Sequence, residues 1–344
     1  MAKRQRLLYN QESFMKRKIP LFFVVTLSLG GCSKPLSIHQ VTVNGVFSTY
    51  IDCKYDVGES FSFFDQELES FISSFGEEVN EATNRINATN EKVSVDEEVF
   101  HLLEEALDCQ EKTSGYFDPL LGKVNYLWKD YLNSDDESES LYLKTKEEAE
   151  KAFREVKDSS LQLNASELSV QRTGEAHLDL GGIAKGYCLK KVKEKILAAQ
   201  SKHYLINGGS SSLAMGLAEG DASFRVRLEN TGDYVYRYSL SNIDSSTSST
   251  LSQCKKVPLK GEDYLSHIVN PKTGSAEISE HAMTFFVGED SAMLDAFSTA
   301  AIFAPLSLIQ SWEKQYDIQC TIFDFENANC ARMVYENPTL VKAE

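Results

Sequence analysis

Asp179-Leu180-Gly181-Gly182-Ile183-Ala184-Lys185-Gly186-Tyr187 is the stretch on which the reading of this chain turns. It predicts a strand over His177–Leu180, a tight glycine turn, and a helix from Ala184 to about Gln200. Paired glycines let backbone approach a ligand closely, and free N–H groups at a helix N-terminus attract phosphate. Lys185 adds a cation at the same place. The spacing matches neither the P-loop nor the dinucleotide fingerprint, and the same residues would also make a strand–helix turn with no ligand.

Toward the N-terminus, Val41–Tyr55 alternates like a strand leading to a turn at Asp56–Ser60. Phe61–Phe75 is apolar at helical spacing, and Glu97–Thr113 reads as an amphipathic helix stopped at Gly115. Asn133–Ser140 is an acidic, solvated loop, Thr145–Lys157 a charged surface helix, and Leu161–Leu163 and Leu168–Val170 are short strands. Toward the C-terminus, a strand at His203–Ile206 meets a glycine-rich turn. The serine-rich Ser239–Ser252 is a loop or the lip of a site, with Ser245–Ser252 read as loop. A strand at Met283–Val287, helices at Ser291–Phe303 and Leu306–Tyr316, and a strand at Gln319–Phe325 complete the pattern. There is no internal repeat and no regular βαβ alternation, so the class is α+β.

Four more segments carry chemistry. In Asp295-Ala-Phe-Ser-Thr299 a carboxylate and a hydroxyl stand one helical turn apart, the hard oxygen ligands magnesium prefers. A capping Asp with a buried Thr would look the same. His267-Ile268-Val269-Asn270-Pro271-Lys272-Thr273-Gly274 puts a histidine at a strand end before a Pro–Gly turn, either a general base or a structural residue. Asn207-Gly208-Gly209-Ser210 is a second glycine pair at a strand end. Thr113-Ser114-Gly115-Tyr116-Phe117-Asp118-Pro119 is an aromatic turn able to cover a planar ring.

The chain has 344 residues, 42% hydrophobic, and a formal net charge of −16. Such a surface repels nucleic acid, and a phosphate ligand would need local positive potential from a metal, a lysine or backbone amides. The seven cysteines form no C-x-x-C pair and the six histidines no zinc spacing, which argues against zinc or iron–sulfur sites. Cys320 and Cys330 are close enough in sequence to invite a disulfide. Lys16–Lys18, the apolar Ile19–Leu29 and Leu29-Gly30-Gly31-Cys32 have the layout of a lipoprotein signal, with Cys32 as the lipidated residue and Met15 as a second candidate start. The expected organisation is a signal over 1–32, a tether over 33–40 and a single catalytic domain over 41–340.

The five motifs occur in one order along one chain, and in that order the sequence resembles the ApbE family of bacterial flavin transferases (FAD:protein FMN transferases). The family pattern T-x-G-x-F-D-P, D-L-G-G-I-A-K-G-Y, N-x-G-G, H-I-x-D-P-x-T-G and D-A-x-A/S-T-A is followed from Thr113 to Ala300. The resemblance implies a T-fold-like α+β architecture with mixed or antiparallel sheets and packed helices. It implies Mg²⁺ held by the Ala184 carbonyl and the Asp295 and Thr299 side chains. FAD, the substrate, would be contacted by Tyr116, Phe117 and Asp118, by Asp179, Gly182 and Lys185, and by the His267-Ile268 strand, with Asn44 and Phe75 at further flavin-contact positions. His267 is the candidate base. It implies FMN transfer to a Thr or Ser of an acceptor flavoprotein, such as subunits of a sodium-pumping NADH:quinone reductase, with release of AMP. It also implies a lipid-anchored place on the periplasmic side of the cell envelope. The chain departs from the family at Asn44-Gly45-Val46 (Met-Gly-Thr), Phe75 (Tyr), Asn207-Gly208-Gly209-Ser210 (Asn-x-Gly-Gly-Asp, with one spacer missing) and Asn270 (Asp). An FAD pyrophosphatase and a non-catalytic FAD-binding lipoprotein are the alternative readings.

Overall fold

Val41, Val43 and Val46 are buried between exposed neighbours in β1 (Ile38–Val46), and Ile51, Cys53 and Tyr55 are buried in β2 (Thr49–Asp56). The expected single strand is therefore a hairpin. It reverses at Phe47 and Ser48, both at positive φ (50° and 61°), a conformation in which neither residue signals a turn from sequence. The structure, a computed structural model, describes residues 38–56, 62–217, 223–231, 235–258, 264–327 and 330–339. The expected signal over 1–32, with Met15 and Cys32, lies outside the described residues, as do most of the 33–40 tether and the 57–60 turn. No described helix is long and apolar enough to cross a membrane.

The centre is an eight-stranded antiparallel sheet in the order β1, β2, β6 (Tyr204–Gly208), β7 (Ser212–Met215), β10 (Ile243–Ser249), β13 (His281–Gly288), β14 (Gln319–Asn327) and β15 (Cys330–Glu336). Alternation splits its side chains between two cores. Ile206, Ala214 and Phe286 face helices α1 (Ser62–Ala88), α2 (Glu97–Lys112), α5 (Ala184–Ala198) and α6 (Ser291–Ala300). Leu205, Leu213, Met215 and Phe285 face a ribbon of β8 (Phe224–Leu228) and β9 (Tyr236–Leu240). Helix α7 (Leu306–Tyr316) leads into β14. A third core joins α3 (Gly122–Asn133) and α4 (Glu139–Val156) to the small sheet of β11 (Cys254–Lys256) and β12 (Tyr264–Ser266). The α+β class, with antiparallel sheets and packed helices, holds.

Several expectations change. The serine-rich stretch is not a loop: β10 lies mid-sheet between β7 and β13, and Ser245 and Ser246 are at most 2% exposed. His177–Leu180 is not a strand. His177 makes one bridge, to Leu121, and the Leu178 backbone is gripped on both sides by the Asn87 amide, which donates to its carbonyl (2.9 Å) and accepts from its N–H (2.7 Å). Its hydrogen bonds go to a side chain, so no ladder forms. Cys320 and Cys330 stand at opposite ends of the β14–β15 hairpin, Cys330 opposite Asn327 and the Cys320 carbonyl bonded to Asn337 N. Strand rise separates them by roughly 20 Å, far beyond disulfide reach.

A three-stranded sheet, β3 (Lys92–Ser94), β5 (Ser169–Thr173) and β4 (Ser160–Asn164), places Arg172 under the end of α1. Only 5% exposed, Arg172 donates to the carbonyls of Ile86, Asn87 and Thr89 and to Gly174 and Ala176. It satisfies the helix's last acceptors and opposes its negative end. Arg172→Met is expected to cost about 3 kcal/mol, read as a lower urea midpoint; an unchanged midpoint would mean water replaces the guanidinium.

Candidate functional site

Helix α5 starts at Ala184 with no side-chain cap, yet several amides at its start are already engaged. Ile183 N and Ala184 N donate to Leu180 O (3.0 and 2.9 Å), and Gly186 N donates to Asp295 Oδ2 (3.0 Å). Fewer amides are open to phosphate than expected here: the Asp295 carboxylate, from α6, already takes Gly186 N at the positive end of α5. The two helices meet this closely because residue 186 has no side chain. A Cβ there would lie 2.3 Å from Ser291 O and 2.6 Å from Asp295 Cβ.

Asp295 is 4% exposed and its Oδ1 accepts three donors: Lys185 Nζ (2.7 Å), Ser246 Oγ (3.1 Å) and Ser212 Oγ (3.2 Å). Lys185 Nζ also donates to Ser212 Oγ at 2.7 Å. One turn on, Thr299 Oγ1 donates to Asp295 O (3.2 Å) and meets Ser248 Oγ (3.1 Å). The N-terminus of α6 is capped by Asp290, whose Oδ1 accepts from Ala292 N and Met293 N. Lys190 of α5 reaches Asp290 and Glu105 at 2.8 Å each. Burial works against that ammonium, but the hydrogen bonds and charges of Asp290 and Glu105 hold it above the usual lysine range.

The other motifs converge on this pair. A Cβ on Gly182 would meet Phe117 Cε2 at 3.1 Å and Thr299 Oγ1 at 3.5 Å, so the glycine turn, the aromatic turn and the hydroxyl touch. The Thr113 hydroxyl knots the aromatic turn, donating to Cys109 O (2.7 Å) and accepting from Phe117 N (3.0 Å). Asp179 N donates to Pro119 O (2.8 Å) and ties that turn to the glycines. The Asp179 carboxylate shapes the turn, accepting from Gly181 N and from Asn125 Nδ2 at 2.8 Å each. Asp179 also lines a cleft of about 500 Å³ with Asn84, Asn87, Lys129 and His177. Burial pushes the Asp118 carboxyl up, against the Leu120 N–H it accepts and the charge of Lys272. Lys272 lies 4.9 Å from the Tyr116 ring centre and donates to Ser114 O (2.6 Å), which brings the Pro–Gly turn to the aromatic one. Gly208 packs on the Lys185 stem, and Asn207 holds the next turn by accepting from Ser210 N (2.9 Å).

Four expected site residues are placed differently. Phe75 is 1% exposed and stacked between Phe71 and Tyr187 (5.8 and 5.6 Å between ring centres), so it is a core residue with no face for a flavin. Asn44 is exposed on the edge strand β1, opposite Tyr50. His267 and Ile268 form a bend after β12, not a strand; Ile268 is 7% exposed and its N–H donates to Ser266 Oγ (3.2 Å). His267 Nδ1 is covered and has no hydrogen-bond partner, and no bond joins it to Asp295, Lys185 or Thr299.

Burial lowers the His267 pKa to about 4, with the Gln253 carbonyl opposing and Lys129 assisting. The imidazole is therefore neutral in the folded protein at pH 7. The unfolded chain takes up its proton first, so this group's stability contribution is present above pH 6.5 and is lost as pH falls through 4. The loss is on the order of 3 kcal/mol, and His267→Gln should flatten the unfolding midpoint over that window. An identical acid profile in the variant would contradict the burial argument.

The donor set fits a hard cation. Asp295 and Thr299 supply a carboxylate and a hydroxyl, the serine hydroxyls can turn to donate or accept, and Ala184 (2% exposed) opens the adjoining helix. No cluster of three or more His, Cys, Asp or Glu suited to a metal occurs among the described residues, so a cation here would rely on one carboxylate and on substrate oxygens. Sequence reasoning missed Ser212, Ser246 and Ser248 around Asp295. The available signal was the i, i+2 spacing of Ser246 and Ser248, hidden because nothing apolar alternates with them.

A model of the ApbE family matches residues 45–322. A Treponema pallidum protein named FAD:protein FMN transferase is 29% identical over 158 residues. That match spans 45% of this chain and 43% of the relative, less than half its length. Among solved structures, the flavin transferase ApbE from Vibrio cholerae is similar with a TM-score of 0.69 at 17% identity, over 89% of this chain and 98% of that one. The ApbE protein of Thermotoga maritima gives 0.69 at 21% identity, over 83% and 94%. The apo flavinyl transferase ApbE of Pseudomonas stutzeri gives 0.68 at 16% identity, over 87% and 95%. At these identities the structures establish a shared fold.

Proposed function

This chain belongs to the ApbE family, and from that premise we propose that it transfers FMN from FAD to a Thr or Ser hydroxyl of an acceptor protein, releasing AMP. The observation that carries the reading is the buried carboxylate of Asp295, ringed by hydroxyls and Lys185 beneath a two-glycine turn. The name of the Treponema relative supports the same reaction.

In the reaction, an acceptor oxygen forms a bond to the flavin-side phosphorus of FAD as the bond to AMP breaks. Asp295, Thr299 and the Ala184 carbonyl would hold Mg²⁺, which supplies neutralisation of pyrophosphate charge when bound. Lys185 holds a positive charge beside Asp295, where a phosphate oxygen can share it. Gly182, with no side chain, lets the glycine turn sit against Phe117 and Thr299 and so holds backbone close to the Asp295–Thr299 pair. The Tyr116–Asp118 turn, braced by Lys272, offers an aromatic surface to the flavin. A loose phosphoryl-transfer transition state asks for little proton removal from the acceptor, and His267, buried with its Nδ1 unpartnered, is kept as the proposed base for that small demand. Lipid attachment at Cys32, a periplasmic location and envelope redox proteins as acceptors belong to the same proposal.

The test is to incubate the protein with FAD and an acceptor bearing a flavinylation motif, then look for flavin fluorescence on the denatured acceptor band. Replacing the acceptor's target Thr with Ala should abolish the signal. Flavin that leaves the acceptor on denaturation would overturn covalent transfer.

A further inference from the structure

Strand β10 presents Asp244, Ser246 and Ser248 to α6, each at the next rung. Asp244 Oδ2 accepts from Ser291 Oγ (2.6 Å), Ser246 Oγ donates to Asp295 Oδ1 (3.1 Å), and Ser248 Oγ meets Ser298 Oγ (2.8 Å) and Thr299 Oγ1 (3.1 Å). The register is physical. Two strand residues advance about 6.7 Å and four helix residues about 6 Å, so a polar residue at every second strand position meets one at every fourth helix position. A serine-rich strand buried mid-sheet has a reason here: it reads the helix.

The hydroxyl hydrogens share a direction. Ser212 and Ser246 donate to the Asp295 carboxylate, and Ser298 and Thr299 donate to the Asp295 carbonyl (3.0 and 3.2 Å). Thr299 has thus spent its hydrogen inside its own helix, and what remains on its oxygen is lone-pair density. Ser248 has one hydrogen to give and two neighbouring oxygens, those of Ser298 and Thr299, to receive it.

We propose that Ser246 and Ser248 are positioning residues for the Asp295–Thr299 pair: they fix where the carboxylate and hydroxyl oxygens stand, and so set the site's affinity for a divalent cation. The inference rests on the cation reading given above. Lys193, which is paired with Asp244 across the first rung, anchors the same strand to α5.

The test uses Mn²⁺ as probe, with free ion measured by electron paramagnetic resonance in titrations of the purified protein without FAD. Ser246→Ala and Ser248→Ala should each weaken Mn²⁺ binding about tenfold or more, the usual effect of losing a group that orients a ligand. Ser245→Ala, a change at a buried neighbour on β10, should leave it unaltered. Melting temperatures measured on the same samples check that all three variants are folded. Wild-type binding with unchanged affinity in the two serine variants would overturn the positioning role alone. Equal loss in Ser245→Ala would overturn it too, by tracing the effect to general strand damage. Absence of Mn²⁺ binding in the wild type would overturn the cation reading and this inference together.

Discussion

Asp295→Asn lowers AMP release from FAD by about a thousandfold, the several kcal/mol that charge stabilisation at a phosphoryl centre supplies. The side chain is the carboxylate that accepts from Lys185, Ser212, Ser246 and Gly186 N. Asparagine keeps the shape but removes the charge a divalent cation needs, and it turns an amide donor toward existing donors. Its stability cost is that of the lost buried ion pair with Lys185, about 3 kcal/mol. Asp295→Ala is the poorer test, since it leaves the Lys185 ammonium buried beside a void. Steady-state AMP release, with a thermal melt on the same sample, separates chemistry from folding. A folded Asp295→Asn protein within threefold of wild type would contradict the assigned role.

Gly186→Ala is the most damaging single methyl group the structure allows near the site. The added Cβ would stand 2.3 Å from Ser291 O and 2.6 Å from Asp295 Cβ, atoms fixed in α6 and unable to swing away. The helices must part, stretching the Gly186 N–H bond to Asp295. Overpacking of this kind costs about 3 kcal/mol or more, a fall of about 6–12 °C in melting temperature for a domain of this size. Transfer should fail with it. The adjoining Gly181→Ala is the control: its Cβ would meet only the Asp179 carboxylate, at 3.0 Å, a flexible side chain. Equal melting of the two variants would contradict the close approach of α5 and α6.

The legible parts of the sequence were those whose signals are local. Helix α5 follows its two glycines, α7 runs over Leu306–Tyr316 as its periodicity predicts, and Asp295 and Thr299 do share one turn of α6. What stayed hidden depends on partners far along the chain. Strand β10 is polar because α6 and β7 supply its hydrogen bonds, so no hydrophobic alternation marks it. Leu178 looks like a strand residue, but Asn87, 91 positions away, takes its backbone bonds. Helix α3 buries Val124, Trp128 and Tyr131 at helical spacing, a signal that was present and unread. Phe75 was placed by correspondence with a family pattern, and packing against Phe71 and Tyr187 claims both its faces.

The most direct test of the central claim is the balance between AMP released from FAD and flavin bound covalently to an acceptor, measured with Mg²⁺ and with EDTA. The account predicts one AMP for each flavin on the acceptor, and neither product in EDTA. AMP accompanied only by free FMN would contradict it and make the protein a pyrophosphatase; bound FAD with no AMP would leave it a binding protein.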